Sequence, residues 1–192
     1  MKALNSRFSR VIEIIGNLVQ LNIIWIIMCL PVITIFPATV AMYGVVRKWI
    51  SGRDSEGIFR LYFSLFRECF VQSFGISIGW FILALFLYFD YHIMRFNGSI
   101  FILGLFTLIF LAITVYLFPA MVHFNTNWKN IIRNSLTMAI AYPLKTVLLV
   151  GILLVTILLI YILPISILIL GSVSAYLSYR VCHSLFEKIT IR

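Results

Sequence analysis

The sequence predicts an all-α fold: a polytopic transmembrane helical bundle of about six spans, the second one short, with two amphipathic helices on the cytoplasmic side. Three observations carry this expectation. First, 62% of the 192 residues are hydrophobic and only 11% are charged, and the mean hydropathy is +1.09. A soluble domain carries about a quarter charged residues, and a small globule exposes too much surface to hide so much apolar area from water. Lipid is the solvent that fits. Second, the apolar residues fall in four blocks, 11–46, 73–94, 100–124 and 144–182, whereas a helical crossing takes about 20 residues. Third, the basic residues form short clusters between the blocks, as the positive-inside rule requires.

Taken in order, block 11–46 holds Pro31 and Pro37, which bracket Val32 to Phe36. Proline in a helix interior costs about 3 kcal/mol. The block therefore divides into a span at 11–30 and a shorter helix at 37–50, with Pro37 in its first turn. In 53–70, Arg53, Glu56, Arg60, Ser64, Arg67 and Glu68 share one helical face, and Ile58, Phe59, Tyr62, Phe63, Phe66 and Phe70 lie largely on the other. Gly52 ends the preceding helix and Asp54 caps this one. Spans 73–94 and 100–124 follow, joined through an Asn97-Gly98 turn. Residues 126–141 repeat the amphipathic pattern, with Lys129, Asn130 and Arg133 against Trp128, Ile131, Ile132 and Leu136. Helices with basic polar faces and aromatic apolar faces lie in the membrane interface. Block 144–182 divides at Pro164 into spans 144–162 and 165–182. Residues 1–192 thus read as one integral membrane domain.

Charge sets the expected orientation. With both termini cytoplasmic, the inner clusters are Lys2/Arg7/Arg10, then Arg47 to Arg67, then Lys129/Arg133/Lys145, then Arg180/Lys188/Arg192, and Arg95 alone lies outside. A single span over 11–46 would put the first cluster outside. The N-terminal apolar run continues through Pro31 and Pro37 with no A-x-A cleavage site, so it reads as a retained span. A multi-pass protein of the cell (plasma) membrane is expected. The net charge of +9 is spread over these clusters with no separate basic domain. That argues against nucleic acid and for a bilayer with anionic headgroups.

Little in the chain points to chemistry. Cys29, Cys69 and Cys182 have no CxxC spacing and read as small apolar residues. His92, His123 and His183 are far apart, and no H-E-x-x-H, G-x-S-x-G or P-loop pattern occurs. No catalytic residue, metal ligand or cofactor is predicted, and the chain reads as not an enzyme. Glu13, Asp90 and His123 fall toward span ends, which disfavours ion-coupled transport. Gln20 and Asn22 are expected to hydrogen-bond between helices, while Thr34 and Thr39 satisfy backbone groups freed beside the prolines. Gly75 and Gly79, and likewise Gly171 and Ala175, permit close helix approach. The segments Ile35-Phe36-Pro37-Ala38 and Leu117-Phe118-Pro119-Ala120 echo each other, through a degenerate duplication or by chance.

Residues Asn22-Ile23-Ile24-Trp25, Leu30-Pro31-Val32-Ile33-Thr34-Ile35-Phe36-Pro37-Ala38-Thr39 and Val45-Val46-Arg47-Lys48-Trp49 form a more specific signature. With Gly52, Asp54, Ile58-Phe59-Arg60 and Phe66 to Phe70, this N-terminal third resembles the YesL family of bacterial membrane proteins. The remainder is similar to it in length and span pattern. The resemblance brings no catalytic residue. Family members are often encoded beside carbohydrate transporter components, which implies an accessory role in sugar uptake, with ABC-type sugar transporter components as partners.

Physically, Asn22, Pro31, Thr34, Pro37 and Thr39 form a structural motif around a tight extracellular reversal. Arg47, Lys48 and Trp49 anchor the returning helix at the inner interface. With Arg53, Arg60, Arg67, Lys129 and Arg133 they are the candidate interface and docking residues. The expected function is a non-enzymatic accessory or scaffold component. The alternative is a membrane transporter or channel acting on its own, which a polar midplane cavity would favour.

Overall fold

The computed structural model describes residues 2–52, 57–94, 100–124 and 127–190, with side chains described over 12–52, 57–92, 103–124 and 127–186. Within these residues the chain is all-α. The helices are α1 (Lys2–Met28), α2 (Ile35–Ile50), α3 (Ile58–Met94), α4 (Ile100–His123), α5 (Trp128–Ala141), α6 (Pro143–Ile162) and α7 (Ile167–Thr190). Among the described residues four helical segments are long and apolar enough to cross a membrane: Ile58–His92, Leu103–His123, Pro143–Ile162 and Pro164–Phe186. The apolar part of α1, Ile12–Met28, is shorter.

The short helix expected at 37–50 is the centre of the bundle. At 16 residues, α2 rises about 24 Å, less than the roughly 30 Å of hydrocarbon a full crossing needs. It packs on α1, α3, α4 and α7, and Ala38, Val40, Ala41, Val45 and Val46 are wholly buried. Small and β-branched residues let neighbours approach on every side.

The segments expected as a separate interfacial helix, 53–70, and a span, 73–94, are one continuous helix of 37 residues from Ile58 to Met94. The join contains neither proline nor glycine, and Ser73 turns its hydroxyl back onto the Cys69 carbonyl at 2.5 Å. The polar face survives within it, since Arg60, Ser64, Arg67 and Glu68 are exposed. Leu61 and Tyr62 face inward, and the Tyr62 hydroxyl donates to the Ala38 carbonyl at 2.9 Å. Phe59, on the expected apolar side, is 60% exposed. Further along, the Trp80 indole N–H donates to Thr114 Oγ1 at 2.9 Å and its ring stacks on Phe110, fastening α3 to α4.

The second amphipathic stretch forms α5, which buries Ile131, Ser135 and Met138 and packs on α4. Pro143 opens α6, where a missing N–H costs nothing. A 3-10 turn at Pro164–Ser166 makes the expected reversal into α7, and α7 continues beyond the expected 182.

The reversal between α1 and α2 uses the motif residues as expected. The Thr34 hydroxyl lies 2.5 Å from the Met28 carbonyl and 2.6 Å from that of Pro31, and its single proton is shared between the two. Thr39 donates to the Ile35 carbonyl at 2.7 Å and accepts from the Trp25 indole at 3.2 Å. Asn22 is fully buried and its amide donates to the Ile167 carbonyl, tying α1 to α7. Gln20, the other expected amide link, is exposed instead. Thr39→Val should cost about 1 kcal/mol by removing the Trp25 acceptor. Trp25→Phe should then cost less in the Thr39→Val background than alone, read from thermal unfolding of the four proteins in detergent. Strictly additive losses would rule out the contact.

The two Phe-Pro-Ala segments meet in space. Phe36 and Phe118 lie 4.9 Å apart between ring centroids, and Phe118 also stacks on Tyr43 at 5.8 Å. The expected close approach at Gly75 and Gly79 is absent, because a Cβ added at either would meet nothing within 4 Å. At Gly171 the approach is real: an added Cβ would come within 2.5 Å of Asn22 Oδ1.

Candidate functional site

The last turn of α2 carries Arg47 and Lys48, whose charges suit the negative end of the helix dipole. Gly52, at φ +65°, adopts the left-handed conformation that terminates such a helix. Arg47 lies beside the last turn of α4, and its guanidinium donates to the Val122 carbonyl. That carbonyl belongs to the final turn, where the helix itself offers no amide partner. The end of α2 thus caps the end of α4.

Around this joint lies a cleft of about 370 Å³. Helices α2, α3, α4 and α7 contribute Arg47, Lys48, Glu68, Cys69, Gln72, His123, Tyr179 and His183, and Ser51 joins them just past the end of α2. The His123 Nδ1 stands 3.4 Å from the Tyr179 hydroxyl, and its ring stacks on Phe186 at a centroid distance of 4.3 Å. The histidine plane is therefore fixed by packing. Arg47 and Lys48 face one carboxylate, Glu68, in this lining. Excess N–H and O–H donors with net positive charge are suited to an anionic group. Among the described residues, no three His, Cys, Asp or Glu side chains lie together as a metal-binding set.

The predicted interface residues separate into distinct places. Arg47 and Lys48 line the cleft. Trp49 packs against the core, where its buried indole nitrogen has no partner. Arg60 and Arg67 are exposed on α3, and Lys129 and Arg133 on α5. Lys129 lies over the Trp128 ring, 5.3 Å from its centroid. Arg53 lies outside the described residues. Sequence reasoning missed His123, Tyr179 and His183 as neighbours of Arg47. The available signal was their place toward the basic ends of apolar segments, but that does not say which ends meet.

The resemblance seen in residues 22–70 is borne out by comparison with known proteins. The family described as "Protein of unknown function, DUF624" matches residues 18–91. Three proteins of Bacillus subtilis (strain 168), each titled uncharacterized, are similar over most of the chain. YteU is 28% identical over 71% of this chain and 65% of its own length. YesL is 29% identical over 69% of this chain and 66% of its own, and YesV 29% over 70% and 69%. The chain therefore spans just under two thirds of the length of the first two relatives. No solved structure matches significantly.

Proposed function

We propose that this chain, similar to YesL and matched by the DUF624 family over residues 18–91, is a non-enzymatic accessory or scaffold subunit of the cell membrane, serving an ABC-type carbohydrate importer. The observation behind this reading is where the polar groups lie. The cation-bearing cleft forms where α2 and α4 end, and Arg60, Arg67, Lys129 and Arg133 are exposed on the adjoining helices. Such an arrangement offers a docking surface at one face of the membrane, whereas a transporter acting alone needs polar groups at mid-depth.

The proposed orientation puts both termini in the cytoplasm. Whether α1 and α2 cross fully or fold back as a hairpin, residues 2–10, 47–52 and 57–67 stay on one side. The positive-inside rule makes that side cytoplasmic. Cysteine labelling in a thiol-free background tests this through position 97, which lies outside the described residues, and position 2. Labelling of position 97 from the cytoplasm alone would refute the orientation.

The docking test is affinity purification from the native host in mild detergent. Carbohydrate importer components are expected with the native chain and are expected to be lost from a Lys48→Glu/Arg60→Glu/Arg67→Glu variant that still inserts. Arg47 is left unchanged because it holds α4. Solute uptake by proteoliposomes containing this chain alone would overturn the accessory reading in favour of a transporter.

A further inference from the structure

A second concavity lies along the outer side of α3. It is a groove of about 710 Å³ lined by Val71, Gln72, Gly75, Gly79, Trp80 and Phe86, with Trp128 and Ile132 of α5 on its flank. Its floor is open at Gly75 and Gly79, where an added Cβ would touch nothing within 4 Å. Its lining is apolar except for Gln72 at one end. Gln72 also lines the polar cleft, so the groove and the cleft adjoin. From Gln72 to Phe86 the helix rises about 21 Å, longer than the roughly 15 Å depth of one leaflet's hydrocarbon. The volume of the groove alone is in the range that holds a sizeable small molecule.

We propose that the two concavities form one site for an anionic phospholipid, with an acyl chain in the α3 groove and its phosphate in the cleft beside Lys48 and Arg47. Charge complementarity selects this occupant. An apolar helix from another protein would cover the groove and leave the adjoining cations unmatched, whereas a lipid of this kind satisfies both ends. Arg47 uses part of its donor fork on the Val122 carbonyl, and a guanidinium carries five N–H groups. Lys48 supplies a second cation, while Glu68 opposes them and thereby limits the preference to singly or doubly charged headgroups of modest affinity. The site shares the cleft and Lys48 with the docking surface proposed above and adds the α3 groove, and its lipid retention is read on the purified chain with no importer present.

The test uses the full chain, delipidated in detergent and offered equal amounts of phosphatidylglycerol and phosphatidylcholine with identical acyl chains. Retained lipid is counted by native mass spectrometry. Phosphatidylglycerol should be retained preferentially, and Lys48→Gln should reduce that preference about fivefold. Gly79→Leu should lower retention of both lipids, because it fills the groove without a clash in the fold. Gly104→Leu on α4, also open around its Cβ, should change neither. Inorganic phosphate at the same concentration should not displace the lipid. Equal retention of the two lipids, or retention unaffected by Gly79→Leu, would overturn the proposal. Displacement by phosphate alone would overturn it in favour of a free-anion site. Loss of a co-purifying protein with unchanged lipid on Gly79→Leu would do so in favour of a partner helix.

Discussion

Gly171→Ala should be among the most destabilising small substitutions in this chain. The added Cβ would lie 2.5 Å from Asn22 Oδ1 and 3.2 Å from the Trp25 ring. Asn22 has little freedom to retreat, since it is fully buried and its amide is bonded to the carbonyl of Ile167, one turn earlier on the same helix. Overpacking of this kind costs roughly 1–3 kcal/mol, and a displaced Asn22 would strand a buried amide at a similar further cost. Thermal unfolding in detergent should therefore fall by several degrees. Gly104→Ala, in an exposed and open position, should leave it within a degree or so or raise it slightly through helix propensity. The decisive comparison is the double variant. Asn22→Ala with Gly171→Ala should be more stable than additivity predicts, because the two changes relieve one clash. Independent effects would mean that α1 and α7 do not approach here.

Arg47→Met should loosen the end of the bundle where α2, α4 and α7 meet. It removes a charged hydrogen bond to the Val122 carbonyl, an interaction worth about 1.5–3 kcal/mol. It also removes the cation that suits the C-terminal dipoles of both α2 and α4. Arg47→Lys keeps the charge but loses the planar fork, so it should fall between the two. Alkylation of Cys182 offers a local readout, because that thiol is fully buried in α7 near the same cleft. Its rate should rise in Arg47→Met more than in Lys48→Gln, which lines the cleft without a backbone bond of this kind. Equal rates in the native chain and Arg47→Met would show that the cap is not holding the helices together.

Much of the local architecture was legible residue by residue. Pro31, Pro37 and Pro164 placed the reversals, because proline lacks the amide and fixes φ. Thr34 and Thr39 served the carbonyls beside those prolines as expected. The polar stripes at Arg60 to Glu68 and Lys129 to Arg133 lie on exposed faces of α3 and α5. The resemblance carried by residues 22–70 pointed to the family. The candidate cleft was half visible through Arg47 and Lys48, while His123, Tyr179 and His183 joined it only through the meeting of α2, α4 and α7.

What the sequence by itself determined is the solvent, the helical class, the reversals and the polar faces. Each follows from local backbone chemistry or from charge that cannot enter lipid. What only the tertiary structure decided is which apolar face meets which. In water, hydrophobicity marks the buried side of a helix; in a bilayer, lipid-facing and helix-facing surfaces are equally apolar, and packing shape chooses between them. Gly75 and Gly171 looked alike in sequence as sites of close approach. One borders an open groove and the other presses against Asn22. The same lack of contrast hid α2, whose run of Ala, Val, Met and Gly reads as a short span and is the enclosed centre of the bundle.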